Sequence, residues 1–289
     1  MDDYLKVFLL AIIQGAAELL PVSSSAHVIL AQKMMGLDPS SPPMVFLLLM
    51  LHTGTMFAAI VFFWSRWKAL LWPPKEMAGS GRRFVIMILL ATAVTGFIGL
   101  GLQYAIEQVL LERWLHQPRG EVEQLFKSLP LIGTALTAAG LLILGSSRFD
   151  RAAQNGVLTP RAAALIGLVQ GFCLPFRGFS RSGATISVAL ACGLPRRFAE
   201  EFSFALAVVL TPPLVVRQTW KLLNSPEAAN VNLPDLLLPG AVGMVMSFLS
   251  GLAALRLLSA LLEGGRWAYF GVYCLVFALV IFLAAWWGL

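Results

Sequence analysis

Six apolar segments, each about as long as a bilayer is thick, constrain this chain more than any other feature of its sequence. A helix needs about 20 mostly apolar residues to cross the hydrocarbon core of a membrane. Only 12% of the 289 residues are charged, whereas soluble chains carry roughly 25%. The sequence therefore predicts an all-α polytopic membrane protein. The predicted spans cover residues 43–65, 84–104, 129–146, 199–220, 236–260 and 267–288.

Two further apolar regions, 3–36 and 161–195, are each interrupted by a proline and a cluster of serines. The first break follows Leu20-Pro21 and the second follows Leu174-Pro175. The apolar flanks are too short to span a bilayer comfortably. We therefore expect two re-entrant helix–loop–helix hairpins, each entering and leaving on the same side. Non-helical backbone at membrane depth is tolerated only where protein or water covers it.

The two hairpin regions are related in sequence. Ser23 and Ser25 correspond to Ser180 and Ser182 at one offset, 180 − 23 = 182 − 25 = 157 residues. This spacing predicts an internal repeat, with a first unit over 1–150 and a second over 151–289, each made of one hairpin and three spans. Three is odd, so the second unit should be inverted in the membrane. Inverted-repeat proteins place their sites where broken helices meet near the midplane.

Loop charge predicts the orientation, because basic loops stay cytoplasmic. The loop 66–83 carries five basic residues against one acid and is expected inside, as are the basic residues of 148–161 and 196–197. The loop 105–128 is mixed in charge and is expected outside. The first hairpin then enters from outside, the second from inside, and both termini are external. Since the basic residues are spread over several short loops, the net charge of +6 does not indicate nucleic-acid binding.

The first hairpin carries an acid, serines and a histidine at membrane depth, where ionisable residues are functional candidates by default. Gln14 and Glu18 are four residues apart and share one helix face, where they could hold a divalent cation, Mg²⁺ or Ca²⁺, that bridges diphosphate oxygens. Ser24 could attack phosphorus if a base takes its proton. His27 could be that base, or the acid that protonates the leaving group. A purely structural pairing of Glu18 with an arginine stays open.

The second hairpin carries the groups that suit an anion. Arg181 offers a rigid fork of donors matched to phosphate oxygens. The residues around it begin a half-helix whose hydroxyls and backbone N–H groups favour an anion; they are Ser180, Ser182, Gly183 and Thr185. Helix capping alone would explain one Ser-rich break, but two matched copies weaken that reading. His52 lies inside a predicted span, where we expect inter-helix packing or hydrogen bonding rather than catalysis.

Two long motifs carry a family resemblance. Residues 14–27 read QGAAELLPVSSSAH and residues 178–185 read GFSRSGAT. They resemble the two signatures of the bacterial undecaprenyl-diphosphate phosphatases, the bacitracin-resistance (BacA/UppP) family, and the resemblance extends over nearly the whole chain. It implies removal of the terminal phosphate from undecaprenyl diphosphate, which yields the monophosphate lipid carrier of cell-wall synthesis.

The resemblance also assigns roles to residues of this chain. The implied catalytic positions are Glu18, Ser24, His27 and Arg181. The resemblance implies supporting contacts from Gln14, Ser180 and Thr185. From the residues of the two hairpins themselves, substrate contacts are also expected from Ser23, Ser25, Arg177, Ser182 and Gly183. Dependence on a divalent cation is implied, with the site open to the periplasmic or outer face of the plasma (inner) membrane. The expected partners are a polyprenyl diphosphate and the bilayer, and a homo-oligomer stays open.

Some positions depart from the family pattern. Gln14 stands where the family often has Glu, and Gln brings no charge to a cation. Ala17 and Ala26 replace Thr and Gly. Phe176 and Arg177 separate the usual Pro-Gly before the second motif, which adds an arginine that could grip phosphate or pair with Glu18.

Two other function classes compete with a phosphatase. A transporter or flippase of the polyprenyl phosphate carrier would also use inverted repeats with paired hairpins, but it needs no nucleophile and base, so Ser24 and His27 favour an enzyme. An ion channel should show rings of carbonyls or acids, whereas these loops carry Ser and Arg.

Overall fold

The computed structural model describes residues 3–39, 41–72, 79–106, 108, 128–149, 156–224 and 233–288. Within these ranges the chain forms ten α-helices and no β-strand. The helices are α1 (Asp3–Leu19), α2 (Ser24–Met34), α3 (Pro42–Leu71), α4 (Gly79–Tyr104), α5 (Leu129–Ser146), α6 (Pro160–Cys173), α7 (Arg181–Ala191), α8 (Arg196–Leu223), α9 (Leu233–Glu263) and α10 (Trp267–Trp286).

Six of the described helices are long and apolar enough to cross a membrane: α3, α4, α5, α8, α9 and α10. They coincide with the six predicted spans, so the all-α, multi-pass membrane architecture is confirmed. The main difference is at the end of α3, which continues to Leu71 rather than stopping at 65. Its last turns pack against the protein, since Trp67 is buried and Arg66 pairs with Glu201 of α8 at 3.2 Å.

Both interrupted regions fold as helix–loop–helix hairpins, α1–α2 and α6–α7. The two ends of the second hairpin lie together, because Gly156 sits directly against the backbone of Gly193. In the first hairpin, Val7 near the start of α1 belongs to a hydrophobic cluster against which Leu37, just after α2, also packs. Each hairpin therefore starts and finishes at the same end of the molecule. Their re-entrant path through a bilayer, and the inversion of one half relative to the other, stay predictions.

The two halves interlock. Helix α1 of the first half packs against α9 of the second, and α6 of the second packs against α4 of the first. Contacts between α3 and α8 and between α5 and α10 also join the halves. Each hairpin is thus supported by a spanning helix from the opposite half, which is the reciprocal packing that an inverted repeat would produce.

The basic loops expected inside gather at one end of the helix bundle. The last part of α3 meets the start of α8 through the Arg66–Glu201 pair. The start of α8 meets the end of α9, where Arg197 Nε lies 2.7 Å from Glu263 Oε1. These described ends of α3, α8 and α9 therefore lie together, and their cytoplasmic location stays a prediction. The mixed-charge loop expected at the other end lies largely outside the described residues.

Small residues bring α9 close to both α1 and α3, as is common between membrane helices. A Cβ on Gly15 would lie 2.5 Å from the carbonyl oxygen of Ser247, and Gly54 lies directly against the carbonyl oxygen of Met244. The hydroxyl of Ser247 also donates to the carbonyl oxygen of Leu51 at 3.0 Å. Helix α9 therefore fixes α1 and α3 relative to each other.

We predict that Gly54→Ala destabilises the protein, because the added methyl would overlap the Met244 carbonyl oxygen. Overpacking of this kind costs about 1–3 kcal/mol. The matched control is Gly96→Ala in α4, since a Cβ there meets no atom within 4 Å. Thermal unfolding of the purified protein in detergent should show a lower midpoint for Gly54→Ala alone. Equal midpoints for both variants would contradict this packing.

Candidate active site

The carboxylate of Glu18 is the centre of the candidate active site. Its Oε1 accepts a hydrogen bond from Arg181 Nη2 at 2.7 Å, and its Oε2 accepts one from the Ser24 hydroxyl at 2.5 Å. The Gln14 amide also donates to Oε2, at 3.2 Å. The Glu18 side chain is only 14% exposed, so nearly all its hydrogen bonding comes from the protein. Four of the predicted site residues therefore meet at one carboxylate that joins the two hairpins.

The turn between α1 and α2 lets Glu18 and Ser24 face each other. Helix α1 ends at Leu19, before Pro21, which cannot donate a backbone hydrogen bond. Ser23 then adopts φ +70°, and it is the one non-glycine residue in the described chain with positive φ. Such backbone is uncommon outside glycine and clusters at functional sites. It starts α2 in a direction that points Ser24, its first residue, back toward Glu18.

Two further hydrogen bonds dock the hairpin loops on each other. The backbone N–H of Gly178 donates to Ser25 Oγ at 2.9 Å, and Ser182 Oγ donates to the carbonyl oxygen of Leu20 at 3.3 Å. Gly178 has φ +98° and lies directly against the backbone of Ile132. Only glycine suits that position, because a Cβ would be strained by the positive φ and would also overlap Ile132.

The residues around Arg181 form a buried frame for its side chain. Ser180 Oγ caps α7 by accepting from Gly183 N at 3.2 Å. Thr185 Oγ1 donates to the carbonyl oxygen of Arg181 at 2.8 Å and lies 2.6 Å from Ser203 Oγ. Ser180, Gly183 and Thr185 are thus engaged within the protein. Direct contact of these residues with substrate stays a prediction, and in this structure the anion that Arg181 binds is Glu18.

His52 of α3 reaches the same carboxylate. Its Nδ1 lies 3.0 Å from Gln14 Nε2 and 3.7 Å from Glu18 Oε2. The expected inter-helix hydrogen bond is therefore confirmed. The sequence did not indicate that it would lie beside Glu18, since the two residues are far apart in the chain. The signal that could have found it is its membrane depth, where an ionisable side chain needs a partner.

The contacts of His27 are with its own hairpin and with α10. Its Nδ1 lies 2.8 Å from the carbonyl oxygen of Ser23, and its Nε2 lies 2.8 Å from the hydroxyl of Tyr273. The ring also stacks on Phe277, with 3.8 Å between centroids. The proton of the Ser24 hydroxyl points to Glu18 rather than to His27. Glu18 can therefore deprotonate Ser24 without His27. A catalytic role for His27 stays a prediction.

Glu18 and Gln14 make a weak cation site in their present arrangement. Both carboxylate oxygens already accept hydrogen bonds, and the amide nitrogen of Gln14 rather than its carbonyl faces Glu18. Among the described residues, no group of three or more His, Cys, Asp or Glu side chains could hold a metal ion. One carboxylate and one amide fit a Mg²⁺ or Ca²⁺ ion only if substrate phosphate oxygens complete its ligands.

A small, open cleft lies between α3 and α8, next to the Glu18–Arg181 pair. Glu18, Arg181, Thr55 and Thr211 form the polar part of its wall. The rest is mainly apolar, from Met56, Ala59, Phe204, Ala207 and Val208. The cleft therefore offers charge at one point and an apolar surface beside it.

Arg177, another predicted substrate contact, lies half-buried in the loop before α7.

Comparison with known proteins gives a consistent result. The family described as "Bacitracin resistance protein BacA" matches residues 7–280. Undecaprenyl-diphosphatase 2 of Acinetobacter baylyi is 54% identical over 98% of both chains. Undecaprenyl-diphosphatase of Syntrophotalea carbinolica is 35% identical over 94% of this chain and 95% of the relative. Undecaprenyl-diphosphatase 2 of Burkholderia thailandensis is 33% identical over 95% of this chain and 94% of the relative. With the motifs, the six spans and the match over nearly its whole length, this chain belongs to the BacA family of bacitracin resistance proteins.

Proposed function

We propose that this chain hydrolyses undecaprenyl diphosphate to undecaprenyl phosphate and phosphate, and so recycles the lipid carrier of cell-wall synthesis. The names of the three relatives support this substrate. The observation that carries the chemistry is the Ser24 hydroxyl bonded at 2.5 Å to a carboxylate whose other oxygen pairs with an arginine. A nucleophile (Ser24), a base (Glu18) and an arginine that can bind phosphate (Arg181) are thus adjacent. Nothing in the structure or in these relatives favours a transporter instead.

Ser24 and Glu18 would act together as nucleophile and base. Ser24 Oγ forms a bond to the terminal phosphorus while its proton passes to Glu18 Oε2. The bond from that phosphorus to the bridging oxygen breaks, and undecaprenyl phosphate leaves. Water then attacks the phosphoserine, the bond from phosphorus to Ser24 Oγ breaks, Glu18 returns its proton to that oxygen, and phosphate leaves with the water oxygen. If Ser24 instead only orients water, the same carboxylate can take the proton from that water.

Arg181 would bind the phosphoryl group that is transferred. A guanidinium has five N–H donors in a fixed fork, and the bond to Glu18 uses one of them. The other donors can contact phosphate oxygens without breaking the ion pair. Charge stabilisation and positioning supply most of the catalysis in phosphoryl transfer, so this shared arginine connects the base to the substrate. His27 is the candidate for the proton donor to the leaving oxygen.

The cleft between α3 and α8 fits the two-part character of the substrate. The diphosphate would lie at Glu18 and Arg181, while the prenyl chain would follow the apolar wall near Met56 and Phe204. A tail of this kind is soluble only in the bilayer, so a cleft bounded by two membrane-spanning helices gives it a direct entry.

We place the active site toward the periplasmic or outer face of the plasma (inner) membrane. His52 beside Glu18 and Arg66 at the basic end belong to the same helix, α3. They are 14 residues apart, or about 21 Å at 1.5 Å per residue. Because basic loops stay inside, Glu18 lies well away from the cytoplasmic end.

We predict that the purified protein in detergent releases phosphate from a polyprenyl diphosphate. Ser24→Ala, Glu18→Gln and Arg181→Lys should each lower kcat/KM by roughly 100-fold or more, because each removes the nucleophile, the base or the bidentate fork. Ser147→Ala is the control, since the Ser147 hydroxyl donates to the local carbonyl oxygen of Leu144 at 2.7 Å. His27→Ala belongs in the same series.

Two outcomes would overturn these assignments. Full activity in Ser24→Ala, His27→Ala and Arg181→Ala would exclude this site. No phosphate release by the wild-type protein with any divalent cation would exclude the phosphatase and leave lipid transport as the function to test.

We also propose that a divalent cation is needed and that it is shared between Glu18, Gln14 and the diphosphate. When bound, it would neutralise charge on the phosphate oxygens. EDTA should then abolish activity, and Mg²⁺ or Ca²⁺ should restore it. Calorimetry should detect no tight binding of either ion to the protein without substrate. Gln14→Glu should lower the cation concentration needed for half-maximal rate, and full activity in excess EDTA would refute the requirement.

A further inference from the structure

The imidazole of His27 is held on three sides: by Ser23 of the first motif, and by Tyr273 and Phe277, which lie outside both motifs. Tyr273 and Phe277 lie four residues apart on one face of α10, far from His27 in the chain. Tyr273 contributes its hydroxyl at 2.8 Å from Nε2, and Phe277 contributes a nearly parallel ring at 2° to the imidazole. The carbonyl oxygen of Ser23 takes the remaining nitrogen, Nδ1.

Helix α10 is attached to the first hairpin at a second point. The thiol of Cys274, the residue after Tyr273, donates to the carbonyl oxygen of Pro21 at 3.4 Å. Cys274 is fully buried, whereas Tyr273 is 45% exposed. The backbone of α10 is therefore fixed against the Ser-rich turn, and the Tyr273 hydroxyl lies at a defined position beside His27.

These contacts determine where the protons of a neutral His27 lie. A carbonyl oxygen can only accept, so Nδ1 must carry the hydrogen that faces Ser23. Nε2 is then the acceptor nitrogen, and the hydroxyl of Tyr273 donates to it. The hydrogen bond at one ring nitrogen of a histidine sets the role of the other. Ser23 thus selects the tautomer, and Tyr273 fixes the direction in which Nε2 points.

We propose that Tyr273 passes the proton of His27 to the substrate: when Nε2 is protonated its N–H donates to the Tyr273 hydroxyl, and that hydroxyl gives its own hydrogen to the leaving oxygen. A phenolic hydroxyl can donate to neutral Nε2 and accept from protonated Nε2–H, so the contact persists in both charge states and the substrate exchanges its proton with the hydroxyl. This inference rests on the proposed phosphatase function, in which His27 supplies the proton for the leaving group. The competing reading is that Tyr273 only packs in an aromatic cluster.

Kinetics of Tyr273→Phe separate these readings, because the change keeps the ring and removes the hydroxyl. We expect kcat to fall about three- to tenfold, the range for loss of one hydrogen bond, with KM changed by less than twofold. Tyr269→Phe is the matched control, since Tyr269 lies one turn earlier on α10 and is 62% exposed. It should retain wild-type kcat. An unchanged kcat in Tyr273→Phe would overturn the proposal.

A double variant tests whether Tyr273 acts through His27. If it does, adding Tyr273→Phe to His27→Ala should cause no further loss of kcat, because residues that act as one unit are not additive. The same fractional loss in both backgrounds would show that the hydroxyl acts independently of His27, and the proposal would be wrong.

Nitrogen NMR of protein labelled with ¹⁵N-histidine gives a readout that does not need activity. The chain has three histidines, so His27→Gln assigns the relevant signals. Tyr273→Phe should move the Nε2 resonance of His27 while its Nδ1 resonance, set by Ser23, stays in place. An unmoved Nε2 resonance overturns the proposal. A moved resonance in a protein that releases no phosphate would leave the contact standing and refute the phosphatase function instead.

Discussion

The ion pair between Glu18 and Arg181 is the interaction on which the rest of this structure depends. A carboxylate at membrane depth costs several kcal/mol unless it is paired, and here its partner comes from the opposite half of the chain. The pair is short, at 2.7 Å, and largely buried. Removing one charge would leave the other buried and unpaired, which costs more free energy than replacing both residues by apolar ones. The two hairpins are therefore bound to each other by charge as well as by packing.

Because Glu18 and Arg181 come from different hairpins, the candidate active site needs both halves of the chain. In the proposed mechanism, the first hairpin holds the base and the nucleophile, and the second holds the arginine that binds phosphate. Helix α3 adds His52, and α10 adds Tyr273 beside His27. Neither hairpin carries a complete set of groups. Ser25 and Ser182, which the sequence predicts as substrate contacts, also form hydrogen bonds between the two hairpin loops.

Much of this arrangement could be predicted from the sequence, because the constraints involved are local. Lipid requires about 20 apolar residues per span, so the six spans were predicted within a few residues. The four-residue spacing of Gln14 and Glu18 correctly predicts that they lie on one face. The end of α3 is predicted too early, because Arg66 pairs with Glu201 in a helix that follows much later in the chain, and Trp67 is buried by the folded protein.

The parts that were not predicted depend on contacts between distant segments. His52 and Tyr273 have no periodicity that relates them to Glu18 or His27, so only the packing of α3 and α10 shows their positions. A three-residue spacing also could not decide whether Ser24 faces His27 or Glu18. The positive φ of Ser23 decides it, and nothing in the residue type serine predicts that conformation.

The interlocked packing of α1 on α9 and of α6 on α4 has a consequence for how the protein is made. During synthesis the ribosome completes the first hairpin while Arg181 and the surface of α9 do not yet exist. The nascent chain must therefore keep Glu18 in water, in the translocation channel or in protonated form until more than half of the chain has emerged. Insertion into the bilayer and assembly of the active site are separate events in time, and the second waits for the final helices.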